Sequence, residues 1–256
     1  MNTVFTVGNM EIPLYGIFFY CGVLAAAAAA YFLCSRVPMA RFDLVGSAIY
    51  VMIGAIAGAK LLFLAVSFRT ILALHLPLEA ILKGGFVFYG GLLGGAAGLW
   101  IYTRQYRLPF PDFGDLYAVV LPLGHAFGRV GCFFAGCCYG IPYDGCFSYT
   151  YHASAGSVPL GVPLLPVQLM EAALLLLLFG LQLWLFCRFP RRRGMAALVY
   201  ATVYPVLRFT LEFLRGDTER GSLWGLSLSQ WISLGLFSVS VFCRILQIRK
   251  KSIQDK

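Results

Sequence analysis

The stretch IPLYGIFFYCGVLAAAAAAYFLC, Ile12–Cys34, decides the fold. It holds no charged side chain and is long enough for a helix to cross a bilayer, which takes roughly 20 residues. Six more apolar runs follow: Leu44–Val66, Phe86–Tyr102, Phe113–Cys137, Val167–Phe189, Met195–Leu214 and Ser227–Leu246. They predict an all-α, polytopic membrane protein of about seven transmembrane helices. The third run is short, and Thr70–Gly85 reads as an amphipathic or re-entrant approach to it. Composition agrees. Hydrophobic residues make up 60% of the chain and charged residues 12%, about half the charged share of a soluble domain, and the mean hydropathy is +0.79. At 256 residues the chain is too short for two substantial membrane domains, so residues 1–256 are read as one. Met1–Glu11 lacks the basic n-region of a secretory signal, and the first span is expected to be kept.

Basic residues orient these helices. Arg36, Arg41, Arg104, Arg107, Arg188, Arg191, Arg192, Arg193, Arg244, Arg249, Lys250, Lys251 and Lys256 all follow odd-numbered helices. The opposite loops hold only Arg69, Lys83, Arg215 and Arg220. By the positive-inside rule the N-terminus faces out and the C-terminus lies in the cytoplasm. The expected location is the bacterial cytoplasmic (inner) membrane, with multiple passes. The net charge of +9 sits in clusters beside the spans, which suits anionic membrane lipids and no nucleic-acid partner. The outer segment Tyr139–Pro166 has no Lys or Arg and is rich in Gly, Pro, Ser and Tyr. It is expected to form a small irregular or β head segment (139–166).

Four segments carry chemistry. Gly124-His125-Ala126-Phe127-Gly128-Arg129-Val130-Gly131-Cys132 places an arginine late in helix four, where a charge costs roughly 3 kcal/mol or more. His125 shares its face one turn away, and Gly128 and Gly131 allow a helix or headgroup to come close. Arg208, Glu212 and Arg215 form a stripe on helix six. Guanidinium groups match phosphate oxygens in a bidentate manner, although a self-contained salt-bridge ladder fits the same spacing. Tyr89 and the Gly90-Gly91 pair open helix three, with Gly94 and Gly98 behind them at a helix-packing spacing. Gln168 and Glu171 share a face where helix five begins. Glu171 either pairs with an intramembrane arginine or is an ordinary first-turn acid favoured by the helix dipole. Lys60 either snorkels to the interface or contacts a headgroup.

In order, Tyr-Gly-Gly-Leu at 89–92, Gly-Arg-Val-Gly at 128–131, Pro-Val-Gln-Leu-Met-Glu at 166–171 and Arg-Phe-Thr-Leu-Glu-Phe-Leu-Arg at 208–215 resemble the prolipoprotein diacylglyceryl transferase family over most of the chain. The resemblance implies a seven-helix bundle with a small outer head. It also implies transfer of the diacylglyceryl group of phosphatidylglycerol to the lipobox cysteine thiol of a prolipoprotein, releasing glycerol phosphate. The implied partners are phosphatidylglycerol and prolipoprotein signal peptides with a lipobox cysteine. Arg129 and Arg208 would hold the lipid phosphate, Glu212 and Arg215 would support that site, and Gly140 would close the central signature.

The chain departs from the typical pattern of the family it resembles. Tyr89 stands where typical members have His, Cys132 and Ala135 replace two Asn residues, and Cys137 replaces a Glu. His125 is the expected substitute base, since an imidazole titrates near neutrality. The altered positions leave room for a same-fold paralogue that acts on phospholipid with a different acceptor. A non-enzymatic transporter of an anionic substrate is a third reading, weakened by the lack of related helical halves.

Eight cysteines divide in two. Cys21, Cys34, Cys187 and Cys243 read as small buried hydrophobes. Cys132, Cys137, Cys138 and Cys146 cluster toward the oxidising side, where a bridge from Cys146 to Cys137 or Cys138 is expected; inert thiols, thiol-redox activity or a metal site that includes His125 are the alternatives. Their spacing matches no standard zinc pattern, and no metal or cofactor is assigned.

Overall fold

The computed structural model describes residues 4–7, 10–73, 77, 79, 81, 85–154, 156–189, 193–217 and 222–254. Seven long helices run through these residues: α1 (Leu14–Leu33), α2 (Arg41–Ala73), α3 (Phe88–Gln105), α4 (Phe110–Ala135), α5 (Val167–Arg188), α6 (Met195–Glu212) and α7 (Leu228–Gln254). Three short antiparallel pairs accompany them: β1 (Val4–Val7) with β2 (Met10–Pro13), β3 (Tyr149–Thr150) with β4 (Pro163–Leu164), and β5 (Ser222–Leu223) with β6 (Leu226–Ser227). Among the described residues five stretches are long and apolar enough to cross a membrane: Leu14–Arg36, Arg41–Phe68, Phe110–Ala135, Val167–Arg188 and Leu228–Leu246. The protein is thus a mostly helical, multi-pass membrane protein. The two remaining helices are less apolar for visible reasons. Five glycines dilute α3, and α6 carries Arg208 and Glu212.

Two compact units are distinguished, Leu33–Leu116 and the remainder. In the first, α2 and α3 meet along small residues. A methyl placed on Gly58 would stand 2.8 Å from the Gly94 Cα, and one on Gly98 would stand 2.9 Å from the Tyr50 carbonyl carbon. The backbones approach too closely for larger side chains. Tyr102 donates to Asp43 Oδ1 at 3.1 Å, and Tyr50 to Gln105 Oε1 at 3.1 Å. Lys60 donates to the Ile81 carbonyl and lies 4.8 Å from the Phe86 ring centre. Helix α2 continues seven residues past the expected end at Val66, so Thr70–Ala73 is helix rather than a separate approach. Most of the expected Leu74–Gly85 segment lies outside the described residues, as do Lys83, Arg191, Arg192, Arg220 and Lys256.

The second unit contains β1 to β2, α1, the later part of α4, the head, and α5 to α7. β1 and β2 pair from Val4↔Pro13 to Val7↔Met10, a hairpin not anticipated from the apolar runs. Helix α1 meets α4 where Gly22 faces Gly124 and Phe127, and a Gly22 methyl would lie 2.8 Å from the Gly124 oxygen. The Phe18 and Phe134 rings stack at 4.9 Å. Polar side chains join later helices: Gln182 Nε2 donates to the Ala196 carbonyl at 3.0 Å, and Thr202 to Ser240 Oγ at 3.1 Å. The head packs Tyr151, Val158 and Leu164 on Phe133, and Tyr151 donates to the Phe133 carbonyl at 3.0 Å. Its strands β3 and β4 make the expected head segment partly β.

Candidate functional site

The end of α4 is built by a glycine. Gly136 adopts a left-handed φ of 68°, an inexpensive conformation only for a residue without Cβ. The Cys137 amide then donates to the Cys132 carbonyl at 3.1 Å and the Gly136 amide to the Phe133 carbonyl at 3.2 Å. This pair of bonds is the Schellman stop, which brings the side chain two residues past the cap onto the one at the start of the last turn. Here those residues are Cys137 and Cys132. Cys138, itself at φ 58°, turns back beside them, and the three sulfurs lie within 4.8 Å of one another. Gln168 is 1% exposed and locks this turn from α5, donating Nε2 to the Cys137 carbonyl at 2.9 Å.

One turn earlier on α4, Arg129 is buried among polar partners. Its Nε lies 3.0 Å from Glu171 Oε1 and donates to His125 Nε2 at 3.3 Å. That bond uses the Nε2 lone pair, which implies the tautomer with its proton on Nδ1. His125 thus holds the guanidinium as an acceptor; to serve as a base through Nε2 it must first release Arg129. Its ring meets Tyr204 edge-on at 5.4 Å, and Tyr204 stacks on Tyr200 at 5.2 Å.

A second arginine centre forms where α6 ends and α7 begins. Arg208 Nη2 lies 2.5 Å from Glu212 Oε2 and 3.4 Å from Ser229 Oγ, while Ser229 donates to Glu212 Oε1 at 2.6 Å. Arg208 Nη1 is buried with no hydrogen-bond partner among the described residues. Arg215 falls beyond the helix. It pairs as a β-bridge with Gly140, clamps Asp217 through two bonds of 2.8 and 2.6 Å, and reaches Glu212 Oε2 only at 3.9 Å. Burial works to lower the proton affinity of Arg215, but the Asp217 bonds outweigh it and the guanidinium is held above its ordinary range.

These centres share a wall. Glu171, the partner of Arg129, and Arg208 line one narrow crevice with no room for a water molecule, with Leu174, Leu175, Tyr204, Leu207 and Leu211 as its apolar sides. A larger hollow of about 580 Å³ beside Trp100, Arg104 and Arg107 belongs to the other unit and holds none of the candidate residues. The unit therefore gathers His125, Arg129, Glu171, Arg208 and Glu212 around α4, α5 and α6. Gly140 sits beside them under tight packing, since a methyl there would lie 2.6 Å from Val167 Cγ2 and 3.1 Å from the Leu214 oxygen. A Gly131 methyl would lie 3.2 Å from a ring carbon of Tyr15 on α1, while a Gly128 methyl would meet nothing within 4 Å among the described residues.

Tyr89, Gly90 and Gly91 lie in the first turn of α3. Gly90 and Gly91 face α2, where a Gly91 methyl would lie 3.6 Å from the Ala59 Cβ; Tyr89 is 3% exposed, beside Phe88 at 5.9 Å. All three are described within the Leu33–Leu116 unit. None of the eight cysteines is in a disulfide, so the expected bridge from Cys146 is not formed: Cys146 is exposed, whereas Cys137 and Cys138 turn toward Cys132. His125 is absent from that sulfur cluster, its Nε2 being engaged by Arg129. Cys21 and Cys243 are exposed rather than buried, as befits apolar side chains on helix faces suited to lipid. Tyr204, Asp217 and Ser229 were not anticipated. Tyr204 continues the stripe of Arg208 and Glu212 one turn back, and Ser229 follows Ser227 in a polar opening to an apolar helix.

The whole chain resembles known proteins in the same sense. The family model described as prolipoprotein diacylglyceryl transferase matches residues 2–246. A phosphatidylglycerol–prolipoprotein diacylglyceryl transferase of Clostridium tetani is 32% identical over 239 residues, 93% of this chain and 94% of that protein. One from Dehalococcoides mccartyi is 32% identical over 98% of this chain and 95% of its own length. A Xanthomonas euvesicatoria relative is 31% identical over 98% and 92%. With that coverage the chain belongs to the prolipoprotein diacylglyceryl transferase family.

Proposed function

We propose that this protein is a transferase of lipoprotein biosynthesis that moves the diacylglyceryl group of phosphatidylglycerol to a prolipoprotein thiol and releases glycerol phosphate. The observation that carries the reading is the crevice bounded by both Arg208 and the carboxylate partner of Arg129. In this account all seven helices cross the bacterial inner membrane, with the N-terminus out and the C-terminus in the cytoplasm. That path brings the ends of α4 and α6 and the starts of α5 and α7 to the outer leaflet. The thiol is the lipobox cysteine of a signal peptide, which is presented from the same side.

The chemistry follows from the charges. The thiolate attacks the glycerol carbon, the carbon–oxygen bond to phosphorus breaks, and negative charge grows on the phosphate oxygens. Arg129 and Arg208 hold those oxygens, and guanidinium groups already in place in a water-poor crevice stabilise growing charge without reorganising. Glu171 and Glu212 orient the two arginines, with Ser229 fixing Glu212 and His125 fixing Arg129. The buried Arg208 Nη1 supplies a donor for one oxygen. Arg215 with Asp217 secures Gly140 and the head beside the site, and Gln168 anchors the α4 turn.

The test is direct. Purified protein incubated with phosphatidylglycerol and a lipobox peptide should add the mass of one diacylglyceryl group to the peptide cysteine. An unmodified peptide, with an established transferase active in parallel, would overturn the assignment.

A further inference from the structure

Three sulfurs meet at the end of α4, and the roles assigned above leave them unused. Cys132 and Cys137 are brought together by the Schellman turn, and Cys138 joins them through its left-handed backbone. Their sulfurs all lie within 4.8 Å. A tetrahedral zinc-type ion with metal–sulfur bonds of about 2.3 Å sets its sulfurs about 3.8 Å apart. The observed cluster is close to the spacing such an ion requires. Among the described residues no fourth His, Cys, Asp or Glu joins the group. Three protein ligands with one open position is the pattern of a reactive rather than a structural zinc site.

The surroundings suit the charge. A divalent ion with three thiolates carries a net charge of −1, and Arg129 and Arg215 both act electrostatically on the Cys138 sulfur. Gln168 braces the turn through the Cys137 carbonyl. Softness of the ligands selects a thiophilic ion over magnesium or calcium.

We propose that Cys132, Cys137 and Cys138 bind one zinc-class divalent ion whose open position takes the acceptor cysteine as a thiolate. This rests on the transferase reading and names what activates its thiol. A metal-bound thiol is deprotonated outright, and the thiolate is the nucleophile. The acceptor S–H proton passes to solvent as the sulfur binds. A sulfur lone pair then forms the bond to the glycerol carbon while the carbon–oxygen bond breaks. Its electrons leave with the glycerol phosphate, and the thioether, a weak ligand, dissociates. No oxidant or reductant is involved.

The full-length protein, reduced and loaded with cobalt(II) or zinc(II), should hold one equivalent of metal. The cobalt form should show sulfur-to-metal charge-transfer bands, lost in C137S and C138S. Addition of a lipobox peptide with cysteine should shift those bands, and the same peptide with serine should not. Substoichiometric metal, bands unchanged in the triple serine variant, or a disulfide among the three cysteines in the membrane-extracted protein would overturn the site. Bands indifferent to the cysteine peptide, or diacylglyceryl transfer at an undiminished rate after complete metal removal, would overturn its role with the transferase reading intact. Stoichiometric, peptide-responsive metal without any transfer would instead uphold the thiol site and remove the transferase reading.

Discussion

Ser229 donates a 2.6 Å hydrogen bond to Glu212 Oε1 and so ties the first turn of α7 to the last residue of α6. The other oxygen of that carboxylate holds Arg208. A hydroxyl on one helix thereby sets the direction of a guanidinium on another. Removing it releases a hydrogen bond to a charged group, worth about 1.5–3 kcal/mol. Ser229→Ala should lower transfer by roughly tenfold or more, and Ser229→Thr should restore much of it. Initial rates with a lipobox peptide check both.

Glu171 is 3% exposed and Arg129 8% exposed. Removing one member of a buried ion pair leaves the other uncompensated, at about 3–5 kcal/mol. Glu171→Gln should therefore lower thermal stability in detergent more than the double variant R129Q/E171Q. A double-variant cycle of melting temperatures measures that coupling.

Under the proposed function His125, which accepts from Arg129 through Nε2, positions the guanidinium. Loss of a general base costs about 10²–10⁴ in rate. His125→Gln, which retains an acceptor, should lose less than about tenfold and leave the pH profile of transfer unchanged. A larger loss with an altered profile would return His125 to the role of base.

Gly140 is hemmed in by Val167 and the Leu214 carbonyl. Gly140→Ala should loosen the head from the end of α6, at about 1–3 kcal/mol for overpacking. Limited proteolysis within 139–166 should become faster than in the parent protein.

Much of this was legible in the residues. Arg129 and His125 stand four apart, and so do Arg208 and Glu212, so helical periodicity alone put each pair on one face. Glu171 as the partner of Arg129 was one of two open readings, because sequence spacing cannot tell which helices touch. The Schellman turn was hidden for another reason: the meeting of Cys132 with Cys137 depends on the backbone angle of Gly136, which residue order alone does not state. Helix α2 outran its apolar run because Arg69 and Thr70 end the hydropathy signal, not the backbone hydrogen bonding. The β1–β2 hairpin is too short to stand out from the apolar approach to α1. Ser229 was passed over because a serine in the first turn of a helix ordinarily serves the helix end itself.

The most direct test of the central claim is phosphatidylglycerol binding to the full-length protein in nanodiscs of neutral lipid, compared with diacylglycerol, which lacks the phosphate. The two-arginine account predicts a preference for phosphatidylglycerol that falls by at least about tenfold in R129Q/E171Q and again in Arg208→Gln, each losing a charge-assisted phosphate contact, with diacylglycerol binding unchanged. Undiminished phosphatidylglycerol binding in either folded variant would contradict it.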